Sequence, residues 1–257
     1  MEKIKINFHH GGAVAQIIME NGKGNVIDSG MMAELLIAFE DFRSMGELKL
    51  ITFEGAGKHF SFGASVEEHQ KEQAAEMIHS FHNLFLKLKD LAIPTLAKIN
   101  GQCLGGGMEL AIMCNFLFAE KTSKFCQPEI ILGVFPPPAS IILAEKIGLA
   151  KAEEIIITGM TFTGEEGKDF GLINDVFDDV IELEAEVNKF IDHHILPKSA
   201  SSLRFAVRAS RVKFNRLLED FLPLLEEMYV KELMNTRDAN EGIISFLEKR
   251  KPVWNNS

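Results

Sequence analysis

Residues 101–109 read Gly101-Gln102-Cys103-Leu104-Gly105-Gly106-Gly107-Met108-Glu109, a run in which three consecutive glycines open an apolar stretch. Glycine lets the backbone approach a ligand closely. The first N–H groups of a helix have no intrahelical partners, and the helix dipole favours negative charge there. The segment therefore predicts a helix over residues 108–113 whose N-terminus suits an anion or an oxyanion.

Two carboxylates accompany the glycine run. Glu109 ends the segment, and Glu129 follows twenty residues later, in Phe125-Cys126-Gln127-Pro128-Glu129-Ile130. Glu109 alone could be a first-turn carboxylate that stabilises the helix dipole, and Glu129 could be a surface carboxylate in a turn. Both nevertheless lie in segments rich in apolar residues and glycine, where an unpaired charge is costly unless it has a function.

Strands and helices alternate on either side of this region. A hairpin is predicted from strands 3–8 and 13–20, and a helix over 31–42 from its apolar spacing, with Ser29 as the N-cap. Further predicted strands cover residues 48–53, 95–99, 116–119 and 124–126, with a long helix over 67–91. Beyond residue 148, helical periodicity covers 150–158, 164–170, 180–196, 199–218 and 221–234. This order predicts an α/β core followed by a helical block used for packing or assembly.

Composition excludes several classes of protein. The 257 residues include 46% hydrophobic and 25% charged side chains, a globular balance that argues against disorder. The net charge of −10 makes nucleic acid or an anionic membrane a poor partner. Three cysteines without a Cys-x-x-Cys spacing suit a reducing compartment. No signal peptide and no apolar stretch of membrane-spanning length is present, so we expect a cytoplasmic protein.

Other motifs of known chemistry are incomplete. Gly22-Lys23 and Gly57-Lys58 lack the remaining residues of a phosphate-binding loop, and Leu110 stands where a dinucleotide-binding fingerprint needs glycine or alanine. Ser65 lacks the closing glycine of a hydrolase elbow, which favours a helix cap over a nucleophile. His79 and His82 share a helix face without a third metal ligand nearby in the sequence.

Taken together, these residues resemble the crotonase (enoyl-CoA hydratase/isomerase) superfamily over essentially the whole chain. The segment His59-Phe60-Ser61-Phe62-Gly63-Ala64-Ser65 is similar to the family's first oxyanion segment, and residues 104–109 to its second. The resemblance implies an α/β spiral of strand-strand-helix units over residues 1–195. It also implies a helical trimerisation region over 196–257, which would make a trimer or a dimer of trimers.

The resemblance also assigns roles to residues. It implies that the N–H groups of Ala64 and Gly106 bind the thioester oxygen of an acyl-CoA, and that Glu109 and Glu129 are the paired catalytic glutamates of hydratases. The remaining expected substrate contacts are Phe62, Ser65, Val66, Pro136 and Lys249, the last near CoA phosphates bound by its own or a neighbouring subunit. No metal and no cofactor apart from the CoA of the substrate is expected.

Three functions remain open at this point. Residues 60–66, 132–136 and 199–208 resemble a branch of the family that hydrates cyclic dienoyl-CoA thioesters. General hydratases usually carry Asp where Ser65 stands, and a glycine-rich run where this chain has Pro137-Pro138-Ala139-Ser140. The alternatives are an ordinary 2-enoyl-CoA hydratase, and a non-catalytic acyl-CoA-binding scaffold that uses the fold for assembly.

Overall fold

The structure, a computed structural model, describes all 257 residues and is built around two sheets. The nine strands are β1 (Ile4–His9), β2 (Val14–Met19), β3 (Leu50–Gly55), β4 (Thr95–Ile99), β5 (Gln102–Leu104), β6 (Phe116–Glu120), β7 (Lys124–Cys126), β8 (Thr161–Thr163) and β9 (Asp175–Phe177). The larger sheet has the order β1-β2-β3-β4-β6-β9, and the smaller one has the order β5-β7-β8. The β1–β2 pair is the predicted antiparallel hairpin, and every other neighbouring pair of the larger sheet is parallel.

Ten α-helices surround the sheets. They are α1 (Ser29–Arg43), α2 (Ala74–Leu91), α3 (Gly105–Met113), α4 (Pro137–Ile147), α5 (Leu149–Thr158), α6 (Gly164–Asp169), α7 (Val180–Phe190), α8 (Ala200–Ser210), α9 (Val212–Glu227) and α10 (Arg237–Leu247). None of them combines the length and the apolar character that a membrane crossing requires.

The strand-strand-helix unit is visible in the chain order. In β4-β5-α3, the first strand joins the larger sheet and the second joins the smaller sheet before the helix begins. The next unit, β6-β7-α4, repeats this arrangement with a short 3-10 turn before its helix. Parallel pairing of β4 with β6 and of β5 with β7 stacks the two units side by side, which brings the segments after β5 and β7 together. The predicted mixed α/β architecture is confirmed.

The core has two parts because the larger sheet is covered on both faces. Fifty-one buried residues form the main core. A second cluster of nine lies where α7 packs its Leu183 and Val187 against strand residues such as Leu96 and Phe118. In the C-terminal block, α9 packs against α2 and α4 and adds Leu218 and Leu222 to the main core. The division of the chain at residue 195 stays a prediction.

Several predicted helix boundaries are wrong, each for a local reason. The N-cap of α1 is Asp28, not Ser29, because the Asp28 carboxylate accepts the Met31 N–H at 3.0 Å. The helix predicted over 67–91 is a 3-10 turn at Glu67–His69 followed by α2, since residues 70–73 are all exposed and have nothing to bury. The helix predicted over 199–218 breaks at Arg211, and α9 then continues through Pro223.

Short or irregular elements were missed by the sequence analysis. Strands β5, β8 and β9 have three residues each, too few for a periodic pattern. Helix α4 begins at Pro137-Pro138, where prolines suggest a loop, although proline is well tolerated in the first turn of a helix. Helix α10 begins after a Thr236 side chain that accepts the Ala239 N–H.

Candidate active site

The glycine run starts helix α3, and a Cβ at any of its three positions would lie unusually close to a neighbour. Gly105 has φ +47°, and a Cβ there would lie 2.7 Å from Oε1 of Glu129. A Cβ on Gly106 would lie 3.0 Å from the Ala64 nitrogen, and one on Gly107 would lie 2.5 Å from Cβ of Ser61. The run therefore lets residues 61–64 pack directly against the start of the helix.

Two backbone N–H groups meet at this contact. Gly106 is the second residue of α3, where a helix supplies no acceptor for the N–H. On the facing segment, the Gly63 N–H donates to Ser61 Oγ at 3.1 Å, and the Ser65 N–H donates to the Ile27 carbonyl at 3.3 Å. The Ala64 N–H between them has no protein acceptor. Ala64 and Gly106 both line one cavity, so the structure brings the two predicted oxyanion donors together.

Glu109 lies on the second turn of α3, not on the first. It is 3% exposed, and its Oε1 accepts the Ala139 N–H of α4 at 2.9 Å. Pro137 and Pro138 have no N–H, so Ala139 carries the first available donor of α4. The alternative in which Glu109 stabilises the dipole of its own helix is therefore wrong, since its carboxylate lies at the N-terminus of a different helix.

Glu129 reaches the same cavity from a 3-10 turn, Pro128–Leu132, that follows β7. The side chain of Gln127 is fully buried. With its NH₂ group turned toward Glu129, it donates to Oε1 at 3.2 Å and to Oε2 at 3.0 Å. Glu129 is half-buried and lines the wall of the cavity, so it is not the surface carboxylate that its turn would suggest.

The electrostatics of the site follow from burying two carboxylates together. Burial raises the pKa of Glu129 to about 8. Burial also raises the pKa of Glu109 well above its usual range, and the charge of Glu129 raises it further, against the opposing effect of the Ala139 hydrogen bond. The pair therefore holds at least one proton at neutral pH, so a carboxyl group is available to donate a proton.

Comparison with known proteins agrees with this geometry. The sequence matches the enoyl-CoA hydratase/isomerase family profile over residues 9–257. The chain belongs to the enoyl-CoA hydratase/isomerase family. It is 40% identical over 253 residues to cyclohexa-1,5-dienecarbonyl-CoA hydratase of Thauera aromatica, a match that covers 98% of this chain and 97% of the relative. It is 35% identical over 234 residues to a probable enoyl-CoA hydratase of Mycobacterium bovis, covering 90% and 89% of the two chains.

Solved structures of the family share the fold. An enoyl-CoA hydratase of Mycobacterium avium subsp. paratuberculosis superposes with a TM-score of 0.87 at 22% identity, over 99% of both chains. At this identity the likeness establishes the fold alone. The family match and the hydratase relatives together show that this family member is a hydro-lyase that acts on an acyl-CoA.

Only some of the residues predicted to contact the substrate line the cavity of this family member. Phe62, Val66 and Pro136 do line it. Ser65 does not, and its side chain caps no helix, because the 3-10 turn that follows has no side-chain cap. Lys249 is exposed beyond the end of α10 and outside the cavity, so its role near CoA phosphates stays a prediction.

The sequence analysis missed several residues of the cavity wall. Met77, Ile78 and Phe81 lie on the buried face of α2, where helical spacing marked them only as apolar. His69 also lines the cavity; its ring is 2.7 Å from the Ser65 carbonyl, and burial lowers its pKa. Tyr229 closes the wall from the C-terminal block. No cluster of three or more His, Cys, Asp or Glu side chains is arranged to bind a metal ion.

Proposed function

We propose that this chain adds water to cyclohexa-1,5-diene-1-carbonyl-CoA and so forms 6-hydroxycyclohex-1-ene-1-carbonyl-CoA, a step in the anaerobic breakdown of benzoate and related aromatic acids. The observation that carries this proposal is the wall beside the two glutamates, where Pro136 and Pro137 line the cavity. Proline fixes φ and stiffens the backbone, so this wall suits a flat ring. The relative from Thauera aromatica, whose name states this substrate, supports the proposal.

In the proposed mechanism, the N–H groups of Ala64 and Gly106 hold the thioester oxygen, where negative charge develops. Removing one such donor typically costs about 3 to 4 kcal/mol of transition-state stabilisation. Water lies between Glu109 and Glu129. Its oxygen forms a bond to the ring carbon β to the carbonyl while one ionised glutamate accepts its proton, and the electron pair of the ring double bond moves into an extended dienolate.

The second glutamate then completes the addition. Its carboxyl proton is transferred to the far end of the dienolate, and the remaining double bond returns to conjugation with the thioester. Water has then been added across the diene, and each glutamate has exchanged its protonation state with the other. Since the two donors already polarise the carbonyl, the proposed chemistry needs no cofactor beyond the CoA of the substrate.

A pair of substrates tests the proposal. We expect the purified protein to turn over the cyclic diene with a higher kcat/KM than crotonyl-CoA. Pro136→Ala, which alters the cavity wall, should lower this ratio, whereas Pro138→Ala should not, because Pro138 lies outside the cavity lining. A strong preference for crotonyl-CoA would instead assign the chain to the ordinary 2-enoyl-CoA hydratases, an assignment that its 35% identity to the relative from Mycobacterium bovis would then support.

A further inference from the structure

Tyr229 is the only tyrosine of the chain, and it is buried without a partner for its hydroxyl group. The residue is 1% exposed and lies in a helical turn, Met228–Glu232, directly after α9. Its Oη makes no hydrogen bond to any protein atom. A buried hydroxyl without a partner carries the cost of losing its hydrogen bonds to water. Phenylalanine, which has the same ring without the hydroxyl group, occurs 20 times in this chain. We therefore expect the hydroxyl group at position 229 to have a function.

The position of Tyr229 indicates what that function is. The residue lines the same cavity as Glu109 and Glu129, and its ring packs edge-on against Phe135 with 5.5 Å between ring centroids. Burial raises the pKa of Tyr229, and negative charge on Glu129 or Glu109 raises it further. The hydroxyl therefore keeps its proton, and as an unpaired group of a cavity-lining residue it can act as a hydrogen-bond donor.

We propose that the Tyr229 hydroxyl donates a hydrogen bond to the oxygen atom that water contributes to the product. This inference rests on hydration at the cavity described above, but not on the choice between a cyclic and a linear substrate. The thioester oxygen already has two donors, the N–H groups of Ala64 and Gly106. Neither carboxylate accepts the Tyr229 hydroxyl in the structure. The water oxygen held between the two glutamates is then the one reacting atom lining this cavity that can still accept a hydrogen bond from Tyr229.

The proposed bond holds the water oxygen before it adds and persists as that oxygen becomes the hydroxyl group of the product. As the water oxygen bonds to carbon and loses a proton to a glutamate, it keeps lone pairs that accept from Tyr229. The tyrosine proton stays on its own oxygen throughout. Because the unsaturated substrate has no such oxygen, Tyr229 should distinguish hydroxylated from non-hydroxylated acyl-CoA esters.

The test compares Tyr229→Phe with the parent protein, both carrying Glu129→Gln so that bound esters are not turned over. Calorimetric titration uses 6-hydroxycyclohex-1-ene-1-carbonyl-CoA and cyclohex-1-ene-1-carbonyl-CoA, which differ only in the hydroxyl group. Tyr229→Phe should weaken binding of the hydroxylated ester by about threefold to tenfold, the range expected for one neutral hydrogen bond, and leave the other ester unchanged. If the protein is an ordinary hydratase, 3-hydroxybutyryl-CoA and butyryl-CoA make the same comparison. The role of Tyr229 can therefore be tested even if the proposed cyclic substrate is wrong.

Two further readouts separate this role from simple packing. Without ligand, Tyr229→Phe should unfold at a urea concentration no lower than the parent protein, because it removes no hydrogen bond. In protein labelled with ¹³Cζ-tyrosine, the single tyrosine resonance should shift with the hydroxylated ester and stay in place with the other. Phe135→Leu is the control, since it loosens the packing around the ring but should keep the preference for the hydroxylated ester.

Two results would overturn the proposal. Equal weakening of both esters by Tyr229→Phe would give the residue a packing role only. A shifted pH profile of kcat in the single variant, with the preference between the two esters intact, would assign the hydroxyl to a glutamate.

Discussion

At the scale of single residues, the site depends on two glutamates that lie in one apolar cavity. Replacing Glu129 with Gln preserves size and hydrogen bonding but abolishes proton transfer, so we expect kcat to fall by about 10² or more with little change in the binding of CoA esters. Glu109→Gln should behave in the same way. Steady-state kinetics check this, with the exposed Glu153→Gln as a control that should keep full activity. Near-full activity of either site variant would mean that its carboxylate takes no part in the reaction.

Stability should depend on pH through the same residues. Glu129 has a pKa of about 8 in the folded chain, against an ordinary value of 4.5. Between these values the unfolded chain loses its proton while the folded one keeps it, so this residue lowers the free energy of unfolding as pH rises from 4.5 to 8. Glu129→Gln removes this loss of stability at high pH, because glutamine does not titrate.

The variant should therefore be more stable than the parent protein at pH 8 and similar to it at pH 4.5. Urea unfolding followed at both values checks this, because the comparison cancels the contributions of titrating groups that do not contact Glu129. Glu109 changes in the same direction, since loss of the Glu129 charge removes one cause of its raised pKa. A variant that is less stable at pH 8 would show that the Glu129 carboxylate is ionised and well stabilised in the folded protein.

At the scale of secondary-structure elements, the C-terminal end of α3 is held by basic side chains from two other parts of the chain. Arg211, between α8 and α9, donates to the Met113 carbonyl at 2.8 Å, and Lys146 of α4 donates to the Cys114 carbonyl at 2.9 Å. The Arg211 cation also complements the negative end of the helix dipole. Burial, and then the charge of Arg211, lower the pKa of Lys146 to about 7. The helix that carries Gly106 and Glu109 is thus fixed at its end by the C-terminal block.

We expect Arg211→Met to lower the free energy of unfolding by about 1 to 3 kcal/mol, since it leaves a buried carbonyl without its donor. Arg216→Met is the matched control: that side chain is exposed and pairs only with Asp220 on the surface of the same helix, so its loss should cost less than about 0.5 kcal/mol. Urea unfolding measures both. Equal losses would mean that Arg211 does not hold α3.

The same elements show what a single sequence can predict. The glycine run, Glu109 and Glu129 could be recognised because their residue types are unusual in apolar surroundings. The hydrogen bond that Glu109 accepts could not be predicted, because its donor, Ala139, lies 30 residues further along the chain. The sequence alone suggests that Gly107 could be replaced by alanine, yet a Cβ there would lie too close to the Ser61 side chain. Tyr229 gave no signal because it joins the cavity only through the packing of the C-terminal block.

At the scale of the whole molecule, the C-terminal helices expose more apolar surface than a monomer needs. Phe205, Val212, Phe221, Leu224 and Met228 are between 45% and 68% exposed. Helix α8 buries none of its residues within the chain. A surface of this kind is typical of an interface between protein chains. The trimer or dimer of trimers stays a prediction.

Analytical ultracentrifugation at micromolar concentration should therefore give the mass of a trimer or hexamer. Leu224→Glu should reduce it, because a charge on the interface would be buried without a partner. Ile157→Glu, at an exposed apolar position on α5, is the control and should leave the mass unchanged. A monomeric parent protein would overturn the assembly and with it the proposed contact of Lys249 with CoA on a neighbouring subunit.

In the proposed mechanism, the wall beside the two glutamates directs water onto a cyclic diene and a proton onto its remote carbon. Turnover of cyclohexa-1,5-diene-1-carbonyl-CoA in deuterated water, with the product analysed by NMR, tests it most directly. The proposed mechanism places one deuterium on the carbon that was C5 of the diene, at the far end of the dienolate. Deuterium on the carbon next to the carbonyl, as in the hydration of a linear enoyl-CoA, would contradict it.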